Sequence, residues 1–198
     1  MLCQAILESR FDVDFYFFSK YNTSMEDELK QKMANSIAKF HLPRYREVPN
    51  MGLYLEQVTR YINSVLEPLG YIEITNSMIS NYVKKGLVAS PVKKQYDANQ
   101  VIHLIVIAIL KNVVSLENIN ELFCRQVKVY TDQVAYDYFC QELENFLQFQ
   151  FGLKESVEDV GVTSSFEKKM LRSAIIAVSH VIYLNSCFQV IAENRTIW

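Results

Sequence analysis

What most constrains this chain is its shortage of residues that break regular structure: 198 residues hold four prolines and five glycines. A turn-rich β sandwich needs one of these at nearly every reversal, so long helices suit the chain better. Half of the residues are apolar and 21% are charged, ordinary for a folded chain long enough to bury a core in one or two domains. The fold predicted is all-α.

Periodicity and caps place the helices. Residues 1–24, with an aromatic cluster at Phe15–Phe18, show no helical stripe and are set apart as an N-terminal arm or extension. A first helix starts from a cap at Ser24 and ends before Pro43. A second covers Gly52–Leu66, with Tyr54, Val58, Tyr61, Ile62 and Val65 at helical spacing. Thr75 opens a short helix, Asn76–Lys85, which Gly86 stops. Leu87–Tyr96 reads as a loop or miniature hairpin around Pro91. Asp97 and Gln100 form a capping box for an apolar helix running to about Val113, and Ser115 caps Leu116–Phe123. Two longer helices follow. Val127–Phe149 carries a stripe of Val127, Tyr130, Val134, Tyr138 and Phe146; Ser164–Glu193 carries Phe166, Met170, Ala174, Val178, Val181, Asn185 and Phe188. An acidic loop, 152–162, joins them. The domain reading is therefore 1–24 arm, 25–123 a helix plus a DNA-binding unit, and 124–198 a helical dimerisation or effector region.

Charge distribution singles out one segment. The net charge of -2 points to no particular partner, but Ile74–Tyr96 holds Lys84, Lys85, Lys93 and Lys94 and no acid, between flanks of net -2 and -4. Such flanks steer a polyanion towards the island. The order of elements around it (helix, tight connection, short polar helix, lysine-bearing loop, two helices) is the plan of a winged helix-turn-helix. The short helix would offer Asn76, Ser77, Ser80 and Asn81 to base edges, with Lys84, Lys85, Lys93 and Lys94 on phosphates. The competing reading is a solvated surface loop.

Motif order adds to this. Ile79-Ser80-Asn81-Tyr82-Val83-Lys84-Lys85-Gly86-Leu87 resembles the recognition-helix pattern of the MerR family. Lys94-Gln95-Tyr96-Asp97 resembles its Arg-x-Tyr-Asp at the end of the wing, and Ser115–Leu122 resembles the run that closes its DNA-binding domain. With Leu53–Val58 and Met78–Lys84, the chain is closer still to a group of Firmicute proteins known as domain of unknown function 1836. Ser80, Asn81 and Val83 stand where the MerR pattern has Arg, Tyr and Glu. The resemblance implies a MerR-like winged helix-turn-helix regulator in which Lys94 and Tyr96 are backbone contacts or supports of the wing, and Tyr82 is either such a contact or part of the core. It also implies a homodimer, joined through the helix at Val127–Phe149, that reads an inverted repeat in double-stranded DNA.

Other chemistry finds little footing. Cys3, Cys124, Cys140 and Cys187 have neither metal-finger nor disulfide-framework spacing, which suits a reducing cytoplasm. Cys124 and Cys140 read as buried structural thiols. His41, His103 and His180 sit among apolar residues. Glu142 and Glu144, like Glu155, Glu158 and Asp159, read as solvated faces rather than catalytic pairs. No phosphate loop, nucleophile elbow or zinc-protease motif occurs, so no enzyme, cofactor or metal is expected. Val101–Leu110 is too short to span a membrane, and Ala174–Ala192 carries five polar residues, so both read as buried or interface helices. The aromatic residues of the C-terminal region leave room for a small-molecule effector that the sequence does not identify. The function expected is a cytoplasmic, sequence-specific DNA-binding transcriptional regulator. The alternative is a helical protein-interaction module that kept the scaffold and lost DNA binding.

Overall fold

Three side-chain caps start three of the central helices, and each lies where the sequence puts it. In the computed structural model, which describes residues 26–160 and 165–195, Thr75 Oγ1 accepts the Met78 N–H at 3.2 Å, Asp97 the Gln100 N–H at 2.9 Å, and Ser115 the Asn118 N–H at 3.2 Å. Each bond satisfies a donor that the helix itself leaves orphaned. The elements run α1 (26–37), a 3₁₀ turn (Tyr45–Glu47), β1 (Leu53–Tyr54), α2 (Leu55–Leu66), a second 3₁₀ turn (Glu67–Leu69), α3 (Asn76–Lys84), β2 (Gln95–Tyr96), α4 (Ala98–Leu110), α5 (Leu116–Gln126), α6 (Asp132–Gln150) and α7 (Phe166–Arg195). The chain is mostly helical, as expected. The expectations for residues 1–24, the cap at Ser24, Cys3 and the stretch 161–164 lie outside the described residues.

α4 is the centre. Eleven of its thirteen residues are buried, including the unbroken run Leu104–Leu110, because α2, α5 and α7 all pack on it. Val58, Ile62 and Leu66 give α2 one buried stripe at four-residue spacing. One hydrophobic cluster extends from Met33 on α1 to Val190 on α7, and α5 runs through the domain boundary expected at residue 123.

Several expectations need correction. Tyr54 belongs to a strand rather than to the second helix: β1 pairs antiparallel with β2, Leu53 opposite Tyr96 and Tyr54 opposite Gln95, and Tyr54 is 54% exposed. Gly52, at φ +73°, precedes this pair, and a Cβ there would lie 3.2 Å from the Gln95 side chain. The first long helix starts at Asp132, capped by Thr131, and not at Val127. Its buried face is Tyr136, Phe139, Cys140, Leu143, Phe146 and Leu147, whereas Val127 and Val134 are exposed. α6 thus spends its apolar face inside its own chain, against α7 and the connector at residues 41–45. That connector is pinned by Glu144, whose carboxylate takes two guanidinium bonds from Arg44 (2.8 and 2.6 Å) and the Leu42 N–H (2.8 Å). Asp137 accepts the Tyr45 N–H at 2.8 Å. Glu142 is 1% exposed and pairs with Arg172. Neither Glu142 nor Glu144 is a solvated face. Cys124 is exposed, not buried; Cys140 is buried, and burial pushes its thiol up to about 12.

Candidate nucleic-acid interface

Two local devices shape the lysine island. α3 ends in a reversal at Gly86 (φ +74°), where the Gly86 N–H reaches the Val83 carbonyl and the Leu87 N–H reaches the Tyr82 carbonyl, both at 3.0 Å. This leaves Lys84 and Lys85 exposed at the helix end. Further on, the chain folds back at Val92–Gln95, where the Gln95 N–H donates to the Val92 carbonyl at 2.9 Å. The two central residues are Lys93 (φ 51°) and Lys94 (φ 65°), the left-handed pair of a type I′ hairpin turn. Asn and Gly are the usual occupants, because a Cβ costs energy in this region. Here two lysines stand instead, both exposed. None of the four lysines enters an ion pair among the described residues.

The other expected residues divide into two groups. Asn76, Ser77, Ser80 and Asn81 are exposed on α3. Three of the four are already engaged locally. Asn76 Oδ1 accepts the Thr59 hydroxyl of α2, Ser77 shares a 2.9 Å bond with Thr75, and the Ser80 hydroxyl donates back to the Asn76 carbonyl at 2.9 Å. Tyr82 and Tyr96 are each 4% exposed. Burial raises both phenol pKa values, so the hydroxyls stay protonated. Both are packed in the core, one beneath α3 and one beneath the hairpin.

The hairpin is held from below by Gln100. Its Oε1 accepts the Asp97 N–H and its Nε2 donates to the Ala89 carbonyl, both at 2.8 Å, so the box that caps α4 also anchors the loop leading to the lysines. Sequence reasoning missed two exposed apolar residues beside the turn, Tyr54 (54%) and Val92 (73%). Their signal was a long-range one, since only the pairing of β1 with β2 brings Tyr54 opposite Gln95, the residue that closes the turn onto Val92. Chemically the tip offers two ammonium groups with apolar and phenolic surface beside them, a combination suited to sugar-phosphate backbone.

A family model described as "Domain of unknown function (DUF1836)" matches residues 43–146, just over half of the chain. It spans the connector and α2 through most of α6, and leaves α1 and α7 outside. No curated protein and no solved structure matches the chain.

Proposed function

We propose, from the premise that the chain belongs to the DUF1836 family, that it is a winged helix-turn-helix protein of MerR-like plan: a cytoplasmic regulator that binds double-stranded DNA as a homodimer on an inverted repeat. α2 and α3 are the helix-turn-helix, α3 the recognition helix, and the Val92–Gln95 turn the tip of the wing. The observation that carries this reading is the pair Lys93–Lys94, two charged residues at positive φ where Asn-Gly would be easier to fold. Strained positions held by the surrounding structure cluster at functional sites. In this reading Asn81 meets base edges, Asn76, Ser77 and Ser80 do so once their local bonds open, and the four lysines meet phosphates.

Selection of bound fragments from a random duplex pool, followed by a salt titration on the winner, tests the proposal. Four phosphate contacts give a slope of log K against log salt of roughly -3.6 per monomer. Lys93→Ala/Lys94→Ala should weaken binding to all sequences alike and make the slope shallower by roughly 1.8 per monomer, while changes at Asn81 should alter which sequence is preferred. A folded protein that selects nothing, or whose binding ignores salt, overturns the reading.

One observation favours the second reading, a protein-interaction module that has lost DNA binding. Asn76, Ser77 and Ser80 spend hydrogen bonds within the chain, and Tyr54 and Val92 make the wing surface partly apolar. Capture of a defined protein through Tyr54 and Val92, without nucleic acid, distinguishes it.

A further inference from the structure

Between α5, α6 and the first turns of α7 lies a cavity of about 360 Å³, within the range of small-molecule sites. Its walls are apolar: Leu122 from α5, Tyr130, Val134 and Tyr138 from the stretch that starts α6, and Leu171 from α7. These include the Tyr130/Val134/Tyr138 stripe that the sequence marks out on α6 and that the core does not absorb. Val134 remains 54% exposed at the edge. The Tyr130 hydroxyl donates to Ser165 Oγ at 3.2 Å, tying the start of α7 to one wall.

The charges around it select the occupant. Asp137 and Glu167 line the site with one ammonium, Lys168, whose Nζ sits 5.1 Å over the Tyr138 ring. An anion entering would face two carboxylates. A cation would face the ammonium at the Tyr138 wall. Either charge would also lose its hydration against leucine, valine and tyrosine surface, which is costly without a dedicated partner. An uncharged molecule avoids both penalties, and Tyr130 and Tyr138 favour an aromatic one.

We propose that this cavity binds an uncharged, bicyclic-sized aromatic molecule. The site has an evident route to the rest of the fold. Leu122, Gln126, Ala135 and Leu171 also bound the inner space in which His103 of α4 stacks on Phe123 of α5, ring centroids 4.6 Å apart. An occupant therefore presses on the layer next to α4, whose capping box anchors the lysine hairpin. That last step, an effect of the occupant on DNA affinity, rests on the DNA-binding reading; occupancy itself does not.

The test uses the full chain without DNA, so its failure is separate from any failure to bind DNA. Titration with the neutral naphthalene fluorophore prodan should give saturable, blue-shifted emission at one site per chain, with a Kd on the order of 10–100 μM. Val134→Trp, which fills the mouth from an exposed position, should weaken binding at least tenfold with an unchanged melting temperature. Gln141→Trp at the exposed rim is the second filling variant, should the first fail to fold. Met51→Ser, at an exposed position (84%) outside the cavity and outside α7, should leave the titration unchanged. The anionic dye anilinonaphthalene sulfonate should bind at least tenfold more weakly than prodan. The proposal is overturned by absence of saturation, by equal binding of the anionic dye, or by loss of binding in Met51→Ser but in neither tryptophan variant.

Discussion

Lys93 and Lys94 hold a conformation that two other residues would hold more cheaply. Replacing them by Asn and Gly, the preferred pair of a type I′ turn, should raise stability by about 1 kcal/mol, or roughly 2–4 °C in Tm. Under the DNA-binding reading the same Lys93→Asn/Lys94→Gly variant should bind DNA more weakly. Thermal melting and a binding titration on one preparation check both halves, and a variant that is no more stable refutes the strain argument. His103 gives a second prediction at this scale. Burial lowers its pKa from the ordinary 6.5, opposed by Asp132 at 3.5 Å and by Asp97. The unfolded chain therefore binds this proton more readily than the folded one. The stability that depends on neutral His103 is complete above about pH 6.5 and is lost as pH falls through that value towards the lower folded pKa. His103→Gln should be less stable than the parent at pH 7.5, yet lose less stability between pH 7.5 and 5.5 in urea titrations. Equal losses in the two proteins would show that the acid sensitivity lies elsewhere.

At the scale of elements, what the sequence made legible was whatever is encoded within a few residues. Thr75, Asp97 and Ser115 announce helix starts because the cap and the N–H that donates to it lie three positions apart, and Gly86 announces a stop because the reversal needs positive φ. The two-residue strand at Leu53–Tyr54 was invisible, since it exists through a partner more than forty residues on, and Tyr54 continued the helical spacing of α2 without a break. Glu142 and Glu144 looked solvated for the same reason: the arginines that bury them, Arg172 and Arg44, lie far away in sequence. The lysine island was readable from charge alone, and the burial of Tyr82 from the helical spacing of α3, but not the turn that exposes the lysines, nor the burial of Tyr96. Gln100 joins the local and the distant, capping α4 while holding the Ala89 carbonyl. At 5% exposure, Gln100→Ala should cost about 1–2 kcal/mol, because it removes one half of the capping box and the bond to the Ala89 carbonyl. Chemical denaturation measures the loss. Faster amide exchange at Gln95 would show that the hairpin loosens with the cap, and a change confined to α4 would sever that link.

For the whole molecule, the question is which surface could join two chains. The resemblance points to the first long helix, but most of the apolar face of α6 packs on α7 and the pinned connector, which leaves Val134 and Phe149 as its exposed large apolar residues. α7 is the candidate that remains. Its stretch Phe166–Glu193 is long and apolar enough to cross a membrane by length and composition, yet only 33% of its most apolar window is buried. Phe166 (64%), Leu184 (53%), Phe188 (61%) and Ile191 (42%) are exposed along it. With Met170, Ser173, Ala177 and Val181 they follow three- and four-residue steps, the spacing of a helix–helix seam. Two copies laid antiparallel keep one register along the stripe: Phe166 meets Ile191, Met170 meets Phe188, Ser173 meets Leu184, and Ala177 meets Val181, so the two inner pairs set a small side chain against a larger one. A long exposed apolar stripe is the mark of an interaction surface, and its self-complementary register makes a second copy the occupant to test. Sedimentation should therefore find a dimer at micromolar concentration. Leu184→Glu/Phe188→Glu should yield a folded monomer with an unchanged far-UV spectrum, because neither side chain belongs to the core. If the DNA reading also holds, that monomer should lose affinity for an inverted repeat while keeping its weaker affinity for a single half-site. A parent protein that sediments as a monomer would instead leave α7 for a different partner, and the inverted-repeat expectation would fall with the dimer.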